Sequence, residues 1–303
     1  MSSYNNQLRN FSNKFLNEID VIIVTYHTGE ALFANINSVL SLNNLSNLII
    51  INNGNPDYIE RKLENLTIVH QNIKLLTNHG NIGFARGCNL GAKSSDAKYL
   101  LFLNPDCLIK DENILLKLKQ ALLSDQVYKV ATCVILNKDG SIQKTCRRNL
   151  LSPKIAIVES FNLYKIFPKL SSLNLPKEEI AYLPKISSVP ALSGAVVFTE
   201  AEYYKTLGGF DEQYFLHVED MDFCMRVYIS GYKIAFVKDA VIKHLLSTSN
   251  VTNKFLEQHK ARGFIFYIQK YFPCFKKFPI NIIFRFLIYL RYFIKVYLVP
   301  TKK

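Results

Sequence analysis

The chain has 303 residues, of which 49% are hydrophobic and 20% are charged. This is enough apolar material for one large α/β domain with an appendage, and it excludes a disordered chain. The formal charge of +13 is concentrated at the C-terminus, because residues 254–303 contain eleven Lys or Arg and one acidic residue, a net +10, which leaves +3 for residues 1–253. A nucleic-acid binder needs a basic folded body, so nucleic acid is not expected as a partner.

The six cysteines are scattered and include no CxxC pair. Neither a cysteine metal site nor a disulfide framework is therefore expected, and free thiols suit a reducing cytoplasm. Residues 1–18 are polar and rich in Asn, without the apolar segment of a signal peptide. The sequence predicts a cytoplasmic protein with a polar N-terminal extension at residues 1–18.

Short apolar runs alternate with amphipathic segments in the first half of the chain. Strands are predicted at residues 20–25, 48–51, 73–76 and 99–103, and helices at residues 32–40 and 111–122. This alternation predicts an α/β fold with a doubly wound, mostly parallel sheet. A polar cluster follows each of the four strands, and these clusters are expected to converge on one crevice at the carboxyl ends of the strands.

The second half of the chain is less regular at first. Residues 146–190 contain five prolines and are interpreted as a loop-rich insertion beside the crevice. Patterning then predicts a strand at residues 193–198, a helix at residues 219–230 that ends at Gly231, and a last strand at residues 232–237.

Two polar positions beyond predicted strands are candidates for metal binding. Asn104-Pro105-Asp106 places a carboxylate directly after the strand at 99–103, where a bound divalent cation would neutralise a departing diphosphate. These three residues also favour a simple turn, so both interpretations stay open. His244 follows the last strand, and it is either an ordinary surface or core histidine or the imidazole that completes a metal's coordination.

Glu219-Asp220-Met221-Asp222 opens the helix predicted at residues 219–230. Helical spacing places Asp220 on the inward, apolar face, and Glu219, Asp222 and Arg226 on another face, where Asp222 and Arg226 can pair. An inward carboxylate suits a general base that deprotonates an acceptor hydroxyl. The alternative is an acidic helix start that the helix dipole favours.

Residues 81–91 have the sequence Asn-Ile-Gly-Phe-Ala-Arg-Gly-Cys-Asn-Leu-Gly. This glycine-spaced turn leads into a helix, and such a turn lets backbone N–H groups approach a phosphate, to which Arg86 would add charge. A structural loop explains the glycines equally well, so the two interpretations remain open.

Taken in order, these motifs resemble glycosyltransferase family 2, particularly its rhamnosyltransferase-like branch, which builds bacterial surface polysaccharides. The resemblance covers about residues 19–250. The matching segments are 21–26, 52–57, 81–91, 101–106, Ser-Gly-Ala at 193–195, 208–212, 219–226 and then His244. The resemblance implies a GT-A fold with a Rossmann-like nucleotide-binding half at 19–145 and an acceptor-binding half at 146–250.

The resemblance also implies a set of nucleotide contacts. Thr25 and Tyr26 would line the nucleoside pocket, and Asn52 would read the pyrimidine edge. Family members usually have Asp where this chain has Asn52, whose amide can still accept from the ring N–H but lacks the charge. The ribose and diphosphate would lie near Asn81 and Arg86.

The catalytic roles follow from the same resemblance. Asn104-Pro105-Asp106 takes the place of the family's DxD element next to the nucleotide sugar, so Asp106 would be the main ligand of Mg²⁺ or Mn²⁺ and His244 the second. Asp220 would be the base of a single displacement that inverts the sugar's configuration. The acceptor side is expected to include Gly194, Asp211 and Glu219.

Residues 251–303 form a basic tail in which cations recur among apolar residues. Residues 280–299 are long enough to span a bilayer, but Arg285, Arg291 and Lys295 would each cost on the order of 2.5–3.5 kcal/mol near its centre. Spanning is therefore disfavoured. The tail is predicted to form amphipathic helices that either lie in the membrane interface or pack on the catalytic domain.

Together with these features, the resemblance implies an inverting, metal-dependent glycosyltransferase that is peripheral at the cytoplasmic face of the cell membrane. Its expected donor is a UDP- or dTDP-sugar, with rhamnose among the candidate sugars, and its expected acceptor is a lipid-linked glycan of bacterial surface polysaccharide synthesis. Because Asn52 departs from the family pattern, the alternative is a non-catalytic, membrane-associated nucleotide-sugar-binding protein derived from this family.

Overall fold

The computed structural model describes residues 18–161, 163, 167–173, 179–245 and 251–298. The predicted N-terminal extension, apart from Glu18, lies outside the described residues. So do parts of the insertion and residues 299–303 of the tail.

Within the described residues, nine strands form one sheet in the order β3-β2-β1-β4-β8-β6-β9-β5, with β7 paired to β9. The strands are β1 (Ile19–Thr25), β2 (Leu45–Asn52), β3 (Ile73–Leu76), β4 (Tyr99–Leu103), β5 (Cys107–Ile109), β6 (Tyr128–Leu136), β7 (Ile186–Val189), β8 (Val196–Glu200) and β9 (Lys233–His244).

Strands β3, β2, β1 and β4 run parallel, with Ile22 of β1 opposite Ile49 on one side and Phe102 on the other. Every residue of β1 is buried, and since successive side chains point to opposite faces, both faces of the sheet are covered there. Strand β8 joins β4 in the antiparallel sense, and β6 and β9 form a further parallel pair. The predicted α/β fold with a mostly parallel central sheet is confirmed.

The described helices surround this sheet. They are α1 (Ala31–Leu40), α2 (Asp57–Val69), α3 (Phe84–Lys93), α4 (Ile114–Ser124), α5 (Pro153–Ser160), α6 (Ala201–Thr206), α7 (Glu219–Ile229), α8 (Asn253–Tyr271) and α9 (Ile280–Phe293). Short 3₁₀ turns occur at Lys144–Cys146, Pro168–Leu173, Ile180–Tyr182 and Pro273–Lys276, and a π turn at Ile294–Leu298 follows α9.

The glycines of the 81–91 segment have a packing role. A Cβ at Gly87 would lie 2.8 Å from Val24 Cγ1, and a Cβ at Gly91 would lie 2.5 Å from Ile22 Cγ2. Real Cβ atoms do not approach other atoms this closely, so these glycines let α3 lie directly against β1. Gly87 and Gly91 therefore fit the structural interpretation of this motif.

The tail divides into two parts with different environments. Helix α8 packs into the main core through Ala261, Ile265 and Tyr267, and Gly263 lies against the turn at His217 and Val218. Helix α9 buries Phe284 and Ile288 but exposes most of its other large apolar side chains. Among the described residues, no helix has the length and hydropathy needed to cross a membrane.

Candidate active site

The carboxyl ends of β1, β2 and β4 open into one cleft of about 560 Å³. This volume lies within the usual range for small-molecule sites. The cleft wall combines residues at the ends of these strands with the segments around the starts of α3, β8, α7 and α8 and with the end of β9. They are Val24, Tyr26, Asn53, Asn81, Gly83, Phe84, Asn104, Pro105, Asp106, Ser193, Gly194, Ala195, Phe215, Leu216, His217, Glu219, Asp220, His244, Val251, Phe255 and Leu256.

Asp106 and His244 lie side by side in this cleft. Strand β5 pairs with β9 in antiparallel fashion, and this register puts Cys107 opposite His244 although 137 positions of sequence separate them. His244 Nε2 is 3.0 Å from Asp106 Oδ1, and both side chains are more than nine-tenths buried. Asp106, in the turn between β4 and β5, and His244, the last residue of β9, therefore form a compact pair of oxygen and nitrogen ligands.

The geometry of this pair fits a divalent cation. In octahedral coordination with bonds of about 2.1 Å, two adjacent ligand atoms lie about 3.0 Å apart. His244 Nδ1 lies 3.3 Å from Gln143 Oε1, and in the tautomer that donates to this oxygen, Nε2 keeps a lone pair that a cation beside Asp106 could accept. An outer partner of this kind fixes the ring of a metal-ligating histidine. Gln143 was not identified from the sequence, because it lies in a loop without a motif.

Cys107 is the third potential ligand near this pair, since its sulfur lies within 4.8 Å of the ligand atoms of Asp106 and His244. Its thiol contacts the carbonyl oxygen of Ala195 at 3.8 Å. Burial raises the pKa of the Cys107 thiol well above its usual range, and the neighbouring Asp106 charge adds to this effect. Because a thiolate is the form that binds metal, this environment disfavours Cys107 as a ligand.

The turn that precedes α7 has an unusual backbone. His217 and Val218 both have positive φ, at 68° and 74°. This conformation is costly for a β-branched residue such as Val218. A Cβ at Gly263 of α8 would lie 3.0 Å from both the His217 carbonyl oxygen and Val218 Cγ2. Close packing of α8 therefore stabilises the turn that presents Glu219 and Asp220 to the cleft.

Asp220 is ionised and held by three donors. Its Oδ2 accepts from Arg148 Nη2 at 2.5 Å and from the Gly194 backbone N–H at 3.0 Å, and its Oδ1 accepts from the Met221 N–H at 2.8 Å. Burial alone would raise the pKa of Asp220, but the Arg148 guanidinium and these hydrogen bonds outweigh it and lower the pKa below its usual value. The residue can accept a proton at neutral pH.

Glu219 differs from its neighbour. It is 6% exposed, and its Oε2 has no hydrogen-bond partner within the described part of the chain. Burial raises the pKa of the Glu219 carboxyl well above its usual range, and the negative charge of Asp220 raises it further. The two adjacent carboxyl groups of the cleft thus favour opposite protonation states at neutral pH.

Four of the predicted site residues do not reach the cleft wall. Thr25 is fully buried, and the amide of Asn52, 2% exposed, bonds to Asn55 and Thr77. Arg86 is exposed, 3.6 Å from Glu212, and Asp211 pairs with Lys270 outside the cleft. Asn53, the next residue after Asn52, lines the cleft instead and donates to the Gly83 carbonyl oxygen.

The structure adds an apolar wall that the sequence motifs did not indicate. Val251, Phe255 and Leu256, at and before the start of α8, face the cleft beside Phe215. The Phe215 ring stacks on His259 with centroids 4.5 Å apart, and Phe255 contacts both rings. Sequence patterning places these residues in the basic tail, so only the packing of α8 reveals that they contribute to the site.

Comparison with known proteins agrees with this architecture. The family model "Glycosyl transferase family 2" matches residues 20–168. Rhamnosyltransferase WbbL of Escherichia coli (strain K12) is 26% identical over 220 residues, which cover 63% of this chain and 79% of that protein. An N-acetylglucosaminyl-diphospho-decaprenol L-rhamnosyltransferase of Mycobacterium tuberculosis (strain H37Rv) is 24% identical over 264 residues, covering 82% of this chain and 83% of the relative.

Solved structures share the fold at low sequence identity. GalNAc-T7, crystallised with UDP, GalNAc and Mn²⁺, superposes with a TM-score of 0.61 and 16% sequence identity. The superposition covers 84% of this chain and 48% of that structure. Staphylococcus aureus TarS 1-349 gives a TM-score of 0.55 and 14% identity, covering 92% of this chain and 81% of that structure. The predicted GT-A fold is confirmed. The chain contains a glycosyltransferase family 2 domain at residues 20–168, and rhamnosyltransferases are among its relatives.

Proposed function

We propose that this family 2 glycosyltransferase moves a sugar from a nucleotide diphosphate to a lipid-linked glycan with inversion of configuration. The observation that carries the proposal is the meeting of Asp106, His244 and Asp220 on the wall of one cleft. A metal-ligand pair and an ionised carboxylate then face the same small-molecule site. This combination suits displacement of a diphosphate by a hydroxyl group.

In the proposed reaction, Asp220 removes the proton of the acceptor hydroxyl as its oxygen attacks the anomeric carbon. The new C–O bond forms on the face opposite the departing diphosphate, which leaves with the electron pair of the broken bond, so the configuration inverts. Asp106 and His244 would hold Mg²⁺ or Mn²⁺, which when bound supplies positive charge to the diphosphate. Tyr26, Asn53 and Asn81 line the same cleft and would contact the nucleotide.

The donor and acceptor classes are drawn from the relatives. Several of them are rhamnosyltransferases, one of which is a dTDP-rhamnosyl transferase of Shigella flexneri. The mycobacterial relative's name gives it an N-acetylglucosaminyl-diphospho-decaprenol acceptor. These names support a dTDP-sugar as donor and a diphospholipid-linked sugar as acceptor here, and the UDP complexes of the structural neighbours add a UDP-sugar as a candidate donor.

The proposed membrane contact rests on α9 and its flanks. Ile282, Ile283, Phe286, Tyr289, Leu290, Phe293 and Tyr297 are exposed large apolar residues that recur at helical spacing. Lys276, Lys277 and Arg285 are exposed along the same segment and would meet anionic headgroups. Arg291 is buried against Glu257 of α8, so it does not contribute to this face. An enzyme of the cytoplasmic membrane face would reach a lipid-linked acceptor in this way.

The proposal is tested with the purified full chain, MnCl₂ and a panel of UDP-, dTDP- and GDP-sugars. The acceptor is a synthetic N-acetylglucosaminyl-diphospho-lipid. We expect one donor to yield a glycosylated acceptor by mass spectrometry, with inverted anomeric configuration by NMR. Nucleotide-sugar binding by calorimetry without turnover of any donor would instead support the non-catalytic alternative.

A further inference from the structure

Arg148 lies behind the cleft, shortly after the 3₁₀ turn at Lys144–Cys146. Its backbone exchanges two hydrogen bonds with Ala191, at 2.9 and 3.0 Å. Its Nη2 donates to the carbonyl oxygen of Leu192 at 2.7 Å and to Asp220 Oδ2 at 2.5 Å. The side chain is only 18% exposed, and the residues described along the cleft wall do not include it. The Arg148 side chain therefore reaches the cleft wall through Asp220.

The donors to Asp220 come from three separate segments of the chain. Arg148 and the Gly194 N–H share one carboxylate oxygen, and the Met221 N–H binds the other. The guanidinium is fixed in turn by Leu192, two residues before Gly194. A general base works best when its oxygen is held at a set position relative to the hydroxyl, and this arrangement fixes that position before substrate arrives.

We propose that Arg148 is a positioning residue for sugar transfer, which orients Asp220 and keeps this carboxylate, rather than that of Glu219, as the proton acceptor. The inference rests on the function proposed above. It assigns a role to a residue outside the cleft, in the segment that the sequence indicated only as an irregular insertion.

The charges around Asp220 support this role. Glu219 and Asp222 of α7 are acidic, and Cys224 and the α8 residue Tyr267 also interact with Asp220. Burial lowers the pKa of His217 to about 4, so its imidazole is neutral at physiological pH. The Arg148 guanidinium is the cation in direct contact with the carboxylate. Its removal would leave Asp220 buried beside other acids, which raises the pKa of Asp220.

The test compares Arg148→Gln with Arg148→Lys and with Arg147→Gln as a matched control. Arg147 is the adjacent residue, is also buried, and lies over the Phe236 ring at 5.5 Å. For Arg148→Gln we expect kcat to fall about tenfold to hundredfold, a part of what general-base catalysis supplies. The acidic limb of the kcat/KM profile should move upward by about one pH unit or more. Arg148→Lys should restore part of the lost kcat and part of the shift in the acidic limb. The affinity for nucleotide should stay unchanged.

A second measurement needs no substrate. A double-mutant cycle of Arg148→Gln and Asp220→Asn, followed by urea unfolding, should show coupling at neutral pH that disappears at a pH low enough to protonate Asp220. Wild-type kcat and an unmoved acidic limb in Arg148→Gln would overturn the inference. An equal loss of activity in Arg148→Gln and Arg147→Gln, with the acidic limb of the pH profile unmoved in both variants, would also overturn it. If Asp220→Asn itself turns over normally, the proposed base is wrong, which is a different failure from that of Arg148 alone.

Discussion

At the scale of single residues, the start of α7 places two adjacent carboxyl groups in different environments. Asp220 accepts hydrogen bonds from a guanidinium and two N–H groups, whereas Glu219 is buried with one oxygen lacking a described partner. The pKa of Asp220 is lowered and that of Glu219 is raised. Such a division is typical of sites in which one carboxylate must be ionised to act.

Asp220→Asn should abolish transfer, with a loss of about 10²–10⁴-fold in kcat, because an amide cannot accept the acceptor's proton. The affinity for UDP with Mn²⁺, measured by calorimetry, should not change. Asp57→Asn, at an exposed position at the start of α2, is the control and should keep full activity. Turnover near the wild-type rate in Asp220→Asn would remove this residue from its proposed role.

Glu219→Gln should stabilise the protein in a pH-dependent way. The unfolded chain releases the Glu219 proton near pH 4.5, whereas the folded state keeps it up to about pH 8. Between these two pH values the folded state binds the extra proton, so the free energy of unfolding falls as pH rises. The variant lacks this titration. At pH 8 its Tm should exceed that of the wild type by about 2 °C or more, and near pH 4.5 the difference should shrink. Equal Tm values at pH 8 would contradict the burial argument.

At the scale of elements, α7 and α8 are joined by a buried ionic cluster around Asp222. This fully buried carboxylate accepts from Lys270 Nζ at 2.6 Å, Tyr271 Oη at 2.8 Å and Arg226 Nε at 2.7 Å. The Asp222–Arg226 pair is the one that helical spacing predicts. The face that carries it is buried because α8 covers it, and the sequence pattern of α7 alone does not show this. Asp222 thus ties the tail's first helix to the helix that bears Asp220.

Asp222→Asn should lower the free energy of unfolding by about 3 kcal/mol, because the partly buried Arg226 and Lys270 lose the fully buried carboxylate that they share. Urea unfolding at pH 7 measures the change. Asp239→Asn is a suitable control, since Asp239 is half-exposed and pairs loosely with Lys185 at 3.8 Å. Its effect should stay below about 1 kcal/mol. A similar small effect for Asp222→Asn would mean that the cluster does not hold α8.

The sequence predicts those elements that have strong local patterns. The four parallel strands at the start of the chain and helix α7 match their predicted positions, because continuous apolar runs and helical spacing are local features. Strand β6 and helix α2 had no prediction. Strand β7 and helix α5 lie within the segment interpreted as a loop-rich insertion, where prolines obscure the pattern.

The site itself is only partly visible in the sequence. The positions of Asp106 and Asp220 follow from a strand end and a helix start. The contact of His244 with Asp106 depends on the register of β5 against β9. The contribution of Phe255 to the cleft wall depends on how α8 packs. Neither feature leaves a local pattern in the sequence. Strand β2 ends at Asn52, and this end point places Asn53 rather than Asn52 on the cleft wall.

At the scale of the whole molecule, the pocket and the exposed face of α9 are connected through α8. Asn253, near the start of α8, donates to the Lys295 carbonyl oxygen, and Glu257 pairs with the buried Arg291 of α9. The helix that lines the cleft is therefore attached directly to the proposed membrane-binding helix. This arrangement would hold the cleft at a fixed distance from a lipid surface that presents the acceptor.

Phe286→Ser combined with Phe293→Ser should weaken binding to vesicles of phosphatidylglycerol and phosphatidylcholine about tenfold or more, since two partly inserted aromatic rings are lost. Co-sedimentation at low and high salt measures the binding, and added salt should weaken it because cations contribute. Ile68→Ser is the control, because Ile68 is 79% exposed on α2, away from the tail. Equal vesicle binding by all three proteins would exclude α9 as the contact.

The most direct test of the proposed site is a crystal structure of the full chain with UDP and Mn²⁺, recorded at the manganese absorption edge. We expect an anomalous peak within bonding distance of Asp106 and His244 Nε2, with diphosphate oxygens completing the coordination opposite Asp220. A manganese peak elsewhere, or a nucleotide bound outside this cleft, would contradict the account.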